Sequence, residues 1–122
     1  MLGQISQYVL KVHSRCDLAC DHCYVYEYAD DSWRAKPRAI SPATAEAAAD
    51  RIAEHAARHN MPRVRIVLHG GEPLLLGHKR MRGLLSTLDS KVRRVTKLDL
   101  RIQTNGTLLD PQWCNLFAAY GV

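Results

Sequence analysis

No apolar run in this 122-residue sequence approaches the roughly 20 residues that a membrane-spanning helix needs. Residues Met1 to Tyr8 lack the basic flank and apolar stretch of a secretory signal. A cytoplasmic protein with no membrane partner is therefore expected. Acidic residues are the minority, 12 against 17 Lys and Arg, and the formal net charge is +5, which favours anionic partners. Most of that excess sits in Lys79-Arg80-Met81-Arg82 and Lys91-Val92-Arg93-Arg94. Aromatics are missing from both runs, which removes the stacking platform of a nucleic-acid binder. Both runs read more simply as solvated helix faces, and no nucleic-acid partner is expected.

Cysteine is scarce but crowded. There are four, and Cys16, Cys20 and Cys23 fall within eight consecutive positions. They are too close together to staple distant parts of a fold. In a reducing compartment such clustering reads as metal or redox chemistry rather than disulfides.

What is present is a strand-then-helix pattern, three times over. Tyr8, Leu10 and Val12 alternate with Val9, Lys11 and His13 in a strand over residues 7–13. A long segment, residues 14–40, carries the cysteines. Ser41 and Pro42 then open a helix whose buried stripe is Ala45, Ala48, Ala49, Ile52 and Ala56, and Asn60 and Pro62 end it. A second strand covers residues 64–69. After Gly70-Gly71-Glu72-Pro73 comes a helix with Met81, Leu84, Leu85 and Leu88 on one face. A third strand covers residues 98–104, with Leu98, Leu100 and Ile102 on one side and Asp99, Arg101 and Gln103 on the other. Asp110 and Pro111 begin a helix bearing Trp113, Leu116, Phe117 and Tyr120. Gly121 is its C-cap, and Val122 reads as the start of a fourth strand. Cys114, beside Trp113, reads as core packing.

Strands separated by helices imply parallel pairing and an α/β fold. Three such units could begin an eight-fold barrel, a partial barrel or an open sheet. One strand face gathers Lys11, His13, Arg65, His69, Arg101 and Gln103, which suits a ligand-lined lumen better than a packed core. Because a fourth unit is expected, the chain reads as a fragment of a longer enzyme.

The spacing Cys16-x3-Cys20-x2-Cys23 lets one loop curl around a single metal centre. Iron–sulfur clusters usually take four thiolates. Three would leave one iron of a cubane open for a ligand, as the open position does in catalytic zinc sites. The rival reading is a structural zinc site closed by His13, His22 or His69. Gly70-Gly71-Glu72-Pro73 ends the second strand: two glycines allow close backbone approach to a ligand, and Glu72 can accept hydrogen bonds from an ammonium group. Gln103-Thr104-Asn105-Gly106 ends the third. Either segment alone is more simply a turn. Parallel strands, however, put all three segments at one sheet edge, where α/β enzymes gather their chemistry.

Taken together the motifs resemble the radical-SAM superfamily. Its three-cysteine signature binds a [4Fe-4S] cluster whose open iron takes the amino and carboxylate groups of S-adenosyl-L-methionine. The resemblance covers residues 11–122 and implies the first three units of a partial (β/α)6 barrel, with residues 1–122 as a truncated N-terminal part of that core domain. It implies cluster ligation by Cys16, Cys20 and Cys23. Gly70, Gly71, Glu72 and Pro73 would hold the methionine end of the cofactor. His22, where the family more often has Tyr or Phe, would border the adenine, and Gln103 and Asn105 would shape the pocket. The implied reaction is reductive cleavage of S-adenosyl-L-methionine to a 5′-deoxyadenosyl radical, with an electron donor of flavodoxin or ferredoxin type. The stretches 9–16, 23–27 and Ser32-Trp33 are most similar to actinobacterial maturases of ribosomally made peptides, of the SPASM type, which install carbon-centred cross-links in a precursor peptide. Residues 103–109 are similar to anaerobic sulfatase-maturing enzymes, the alternative within the class. A non-catalytic metal- or peptide-binding module is the alternative outside it.

Overall fold

A computed structural model describes residues 5–13 and 39–122. Its elements, in chain order, are β1 (Gln7–His13), α1 (Pro42–Arg58), β2 (Arg63–Gly70), α2 (His78–Val92), β3 (Lys97–Ile102) and α3 (Pro111–Tyr120). A 3-10 turn, Pro73–Leu76, comes between β2 and α2. The strands are parallel, in the order β1-β2-β3.

The helices start and stop where local chemistry dictates. The Ser41 hydroxyl accepts the Thr44 N–H at 3.1 Å, and Pro42, which has no N–H to satisfy, occupies the first turn of α1. Asp110 does the same for α3, accepting the Trp113 N–H at 2.8 Å, and that bond holds its carboxyl below the usual carboxylate range. Gly121 ends α3 in the left-handed region, with φ 70°. Val122 is not in a strand; its N–H donates to the Phe117 carbonyl at 2.9 Å and completes the helix end.

All three helices bury their stripes against one face of the sheet. Val64, Ile66 and Leu68 of the central strand are fully buried there, with Val12, Leu98 and Leu100 beside them. Ala45, Ala49, Ile52 and Ala56 come from α1, Met81, Leu84, Leu85, Leu88 and Val92 from α2, and Trp113, Leu116 and Phe117 from α3. Each fully buried Leu or Ile contributes about 1.5–3 kcal/mol relative to exposure, so this face holds the fold together. Ala48, expected in the stripe, is only half-buried. Cys114 is exposed, contrary to its expected place in the core. The α3 stripe runs 113, 116, 117 and 120, and position 114 lies about 100° round the helix from Trp113.

The opposite sheet face is polar. Residues 7, 65 and 99 lie in register across the three strands, as do Val9, Val67 and Arg101. Arg65 donates to Asp99 at 2.9 Å and Arg101 to the same carboxylate at 3.4 Å. The Arg65 hydrogen bond, followed by Arg101, holds the Asp99 carboxyl below its ordinary range. A half-exposed ion pair adds little stability beside the apolar face. Consecutive parallel strands with every helix on one side form a barrel wall; a doubly wound sheet would carry helices on both faces.

Candidate functional site

The C-terminal ends of β1, β2 and β3 lie along one edge of the sheet. At the first end the register slips: Lys11 faces His69, but His13 faces Gly70. Val12 and His13 are consequently both buried, where simple alternation would bury one. His13 was expected on the open polar face; at the bulge it is buried. Its carbonyl accepts the Gly71 N–H at 2.9 Å. The neighbouring Val12 carbonyl accepts from Ile40 N–H at 3.0 Å, which brings the chain back to the edge just before α1.

Gly70 is required by this contact. Its φ is +150°, and a Cβ placed on it would lie closer than 3.0 Å to the His13 carbonyl oxygen. The sequence pattern assigns that close approach to a ligand. At Gly70 the approaching group is the backbone of β1.

Glu72 is the buried centre of the edge, only 1% exposed. Its carboxylate caps the 3-10 turn by accepting the Leu74 N–H at 2.8 Å. It also accepts the Asn105 N–H at 2.7 Å. The Thr104 hydroxyl lies 2.7 Å from one carboxylate oxygen and 2.6 Å from the other. That hydroxyl in turn accepts the Gly106 N–H at 3.1 Å. One side chain from the β2 loop thus organises the whole turn after β3. This is why β3 ends at Ile102: Gln103 N–H still reaches the Leu68 carbonyl at 3.0 Å, and Thr104 then leaves the sheet for Glu72. A carboxylate offers roughly four acceptor positions, and contacts from the described residues place two on each oxygen: the Leu74 N–H and the Thr104 hydroxyl on one, the Asn105 N–H and the same hydroxyl on the other.

The other expected site residues divide into two groups. Pro73 is buried at the start of the 3-10 turn, Gly71 is half-buried, and Gln103 and Asn105 are exposed at the same edge. The Asn105 side chain accepts the Thr107 N–H at 3.0 Å, an Asx turn that orders the loop. Cys16, Cys20, Cys23 and His22 lie outside the described residues; they belong to the segment that follows β1 at this edge. Among the described residues no group of three or more His, Cys, Asp or Glu could hold a metal ion. Thr104 is not singled out by the sequence. Its partner is 32 residues away, and a Thr before Asn-Gly looks like any turn residue.

The arrangement suits a small polar cofactor. It offers a buried carboxylate that ties two loops together, a glycine-bearing loop and an exposed amide pair, at the edge where β1 ends. A model of the radical SAM superfamily matches residues 10–122. A serine-type anaerobic sulfatase-maturating enzyme of Bacteroides thetaiotaomicron is 34% identical over 109 residues, covering 89% of this chain and 25% of that protein. The solved structure of hexahistidine-tagged anSMEcpe with bound AdoMet superposes with a TM-score of 0.75 at 22% identity, over 94% of this chain and 29% of that one. Native anSMEcpe with bound AdoMet and Cp18Cys peptide gives 0.72 at 23% identity, over 94% and 28%. The chain thus spans about a quarter of the length of the curated relative and under a third of the solved ones.

Proposed function

The chain belongs to the radical SAM superfamily, and from that premise we propose that it forms the front wall of an enzyme that modifies a ribosomally made peptide. Residues 1–122 would supply the first three units of the core domain. Cys16, Cys20 and Cys23 would hold a [4Fe-4S] cluster, and Gly70, Gly71, Glu72 and Pro73 would orient the methionine end of S-adenosyl-L-methionine. His22 would border the adenine, with Gln103 and Asn105 shaping the pocket beside it. When bound, these groups supply one-electron cleavage of the sulfonium and hydrogen-atom abstraction from an unreactive carbon. The protein's own part is positional. Glu72 stitches the two loops together, and the stitched loops would keep the methionine end fixed relative to the end of β1.

The observation that carries this reading is the junction of the Gly70–Pro73 and Thr104–Gly106 loops through Glu72, at the edge where β1 delivers the cysteine segment. A cytoplasmic location accords with it, and no helix among the described residues is long and apolar enough to cross a membrane. The electron would come from a donor of the flavodoxin or ferredoxin type.

Carbon-centred cross-linking of a precursor peptide is the activity proposed, on the similarity of residues 9–16 and 23–27 to peptide maturases. Formylglycine formation is the second reading, favoured by the sulfatase-maturating relative. Mass spectrometry of candidate peptides after anaerobic turnover separates the two. Cross-linking removes two hydrogens and blocks fragmentation between the joined residues, and the product does not react with a hydrazide probe. A hydrazide-reactive aldehyde at Ser or Cys would replace cross-linking by sulfatase maturation.

A further inference from the structure

The Thr104 hydroxyl is the one side-chain donor among the described contacts to Glu72; the other two are the N–H groups of Leu74 and Asn105. It reaches both carboxylate oxygens, so it fixes the rotation of the carboxylate plane as well as its position. At the same time it accepts from Gly106 N–H, linking the carboxylate to the tip of the β3 turn. Rotation about the last side-chain bond of a glutamate is otherwise soft. We propose that Thr104 is a positioning residue for cofactor binding: by clamping Glu72 it fixes the Gly70-Gly71-Glu72-Pro73 segment and the turn after β3 as one unit beside the methionine end of the cofactor. The inference rests on the function proposed above.

The physical consequence is graded. Thr104→Val keeps the shape but removes both the donor and the acceptor, so the carboxylate can turn and the Gly106 N–H loses its partner. Thr104→Ser keeps the hydroxyl. A hydrogen bond to a charged group that is lost or misdirected corresponds to about a tenfold change in affinity or more.

The test uses the full-length protein, reconstituted anaerobically with iron and sulfide, as wild type, Thr104→Val and Thr104→Ser. Equilibrium dialysis measures the dissociation constant for S-adenosyl-L-methionine. Hydrogen exchange with mass spectrometry, on the protein before reconstitution, reads the peptide spanning residues 103–108. Thr104→Val is expected to weaken cofactor binding about tenfold with iron and sulfide content unchanged. It is also expected to speed exchange over residues 103–108 while leaving α1 and α2 as protected as before. Thr104→Ser should restore both. Equal affinities for wild type and Thr104→Val would overturn this inference alone, as would a Thr104→Ser variant as impaired as Thr104→Val. Unchanged exchange over residues 103–108 would show that there is no clamp. A cluster-loaded wild type that binds no S-adenosyl-L-methionine would instead overturn the proposed function.

Discussion

Replacing Cys16, Cys20 and Cys23 together by Ala is expected to abolish iron and sulfide uptake on anaerobic reconstitution, with loss of the broad visible absorbance of a cluster. Thiolate ligands hold such clusters, and a three-ligand site with none of its ligands has no fallback. Cys114 provides the internal control. It is exposed on α3, and Cys114→Ala should leave the iron and sulfide content at the wild-type level. The competing zinc reading makes the opposite claim on the same preparation. Tight stoichiometric zinc with no iron uptake by the wild type would establish it.

The second large effect is expected at Gly70. Its φ of +150° is one that side-chain-bearing residues rarely adopt, and a Cβ would collide with the His13 carbonyl oxygen. That oxygen cannot retreat freely, because it accepts the Gly71 N–H and sits at the end of the β1–β2 ladder. Gly70→Ala should therefore cost about 3 kcal/mol or more, through backbone strain plus overpacking. It should also lower cluster occupancy, since the disturbed carbonyl lies immediately before the cysteine segment. Gly83 gives the contrasting sign. It lies within α2, and an added Cβ meets no atom within 4 Å. Gly83→Ala should stabilise by about 0.5–1 kcal/mol through reduced freedom of the unfolded chain. Urea titrations compared at constant m-value measure both. A Gly70→Ala midpoint equal to that of wild type would remove the proposed stitch between β1 and β2.

Much of the fold was legible because its signals are local. Alternation in residues 7–13 and 98–104 marks strands, and the 3.6-residue period of Ile52 and Ala56, or of Leu84, Leu85 and Leu88, marks helices. Ser41, Asp110 and Gly121 announce their helix ends by residue type. The departures at the sheet edge share one cause: each depends on a partner distant in sequence. β3 stops early because Thr104 finds Glu72, 32 positions before it. His13 is buried where β1 slips one register position against β2. Gly70 serves the β1 backbone, although a Gly-Gly pair ahead of an acid is equally what a ligand loop would look like.

The candidate site was legible in a different way. Composition and spacing marked the three segments, and parallel pairing placed them at one edge. What neither could reveal is that two of the segments are a single hydrogen-bonded unit. Glu72 was expected as a ligand-facing acceptor. Its carboxylate is also the cap of the 3-10 turn and the anchor of the β3 turn, so the residue expected to meet the cofactor also builds the pocket. Changes at Glu72 would therefore confound folding with binding. Thr104, which holds that carboxylate without being the expected ligand-facing group, gives the cleaner handle.

The most direct measurement is the fate of S-adenosyl-L-methionine itself. The full-length protein, loaded with iron and sulfide and given a strong reductant without oxygen, should convert it to 5′-deoxyadenosine and methionine in equal amounts. The triple cysteine variant should form neither above background. Intact S-adenosyl-L-methionine after incubation with cluster-loaded, reduced wild type would contradict a radical cofactor site at the shared edge of these three strands.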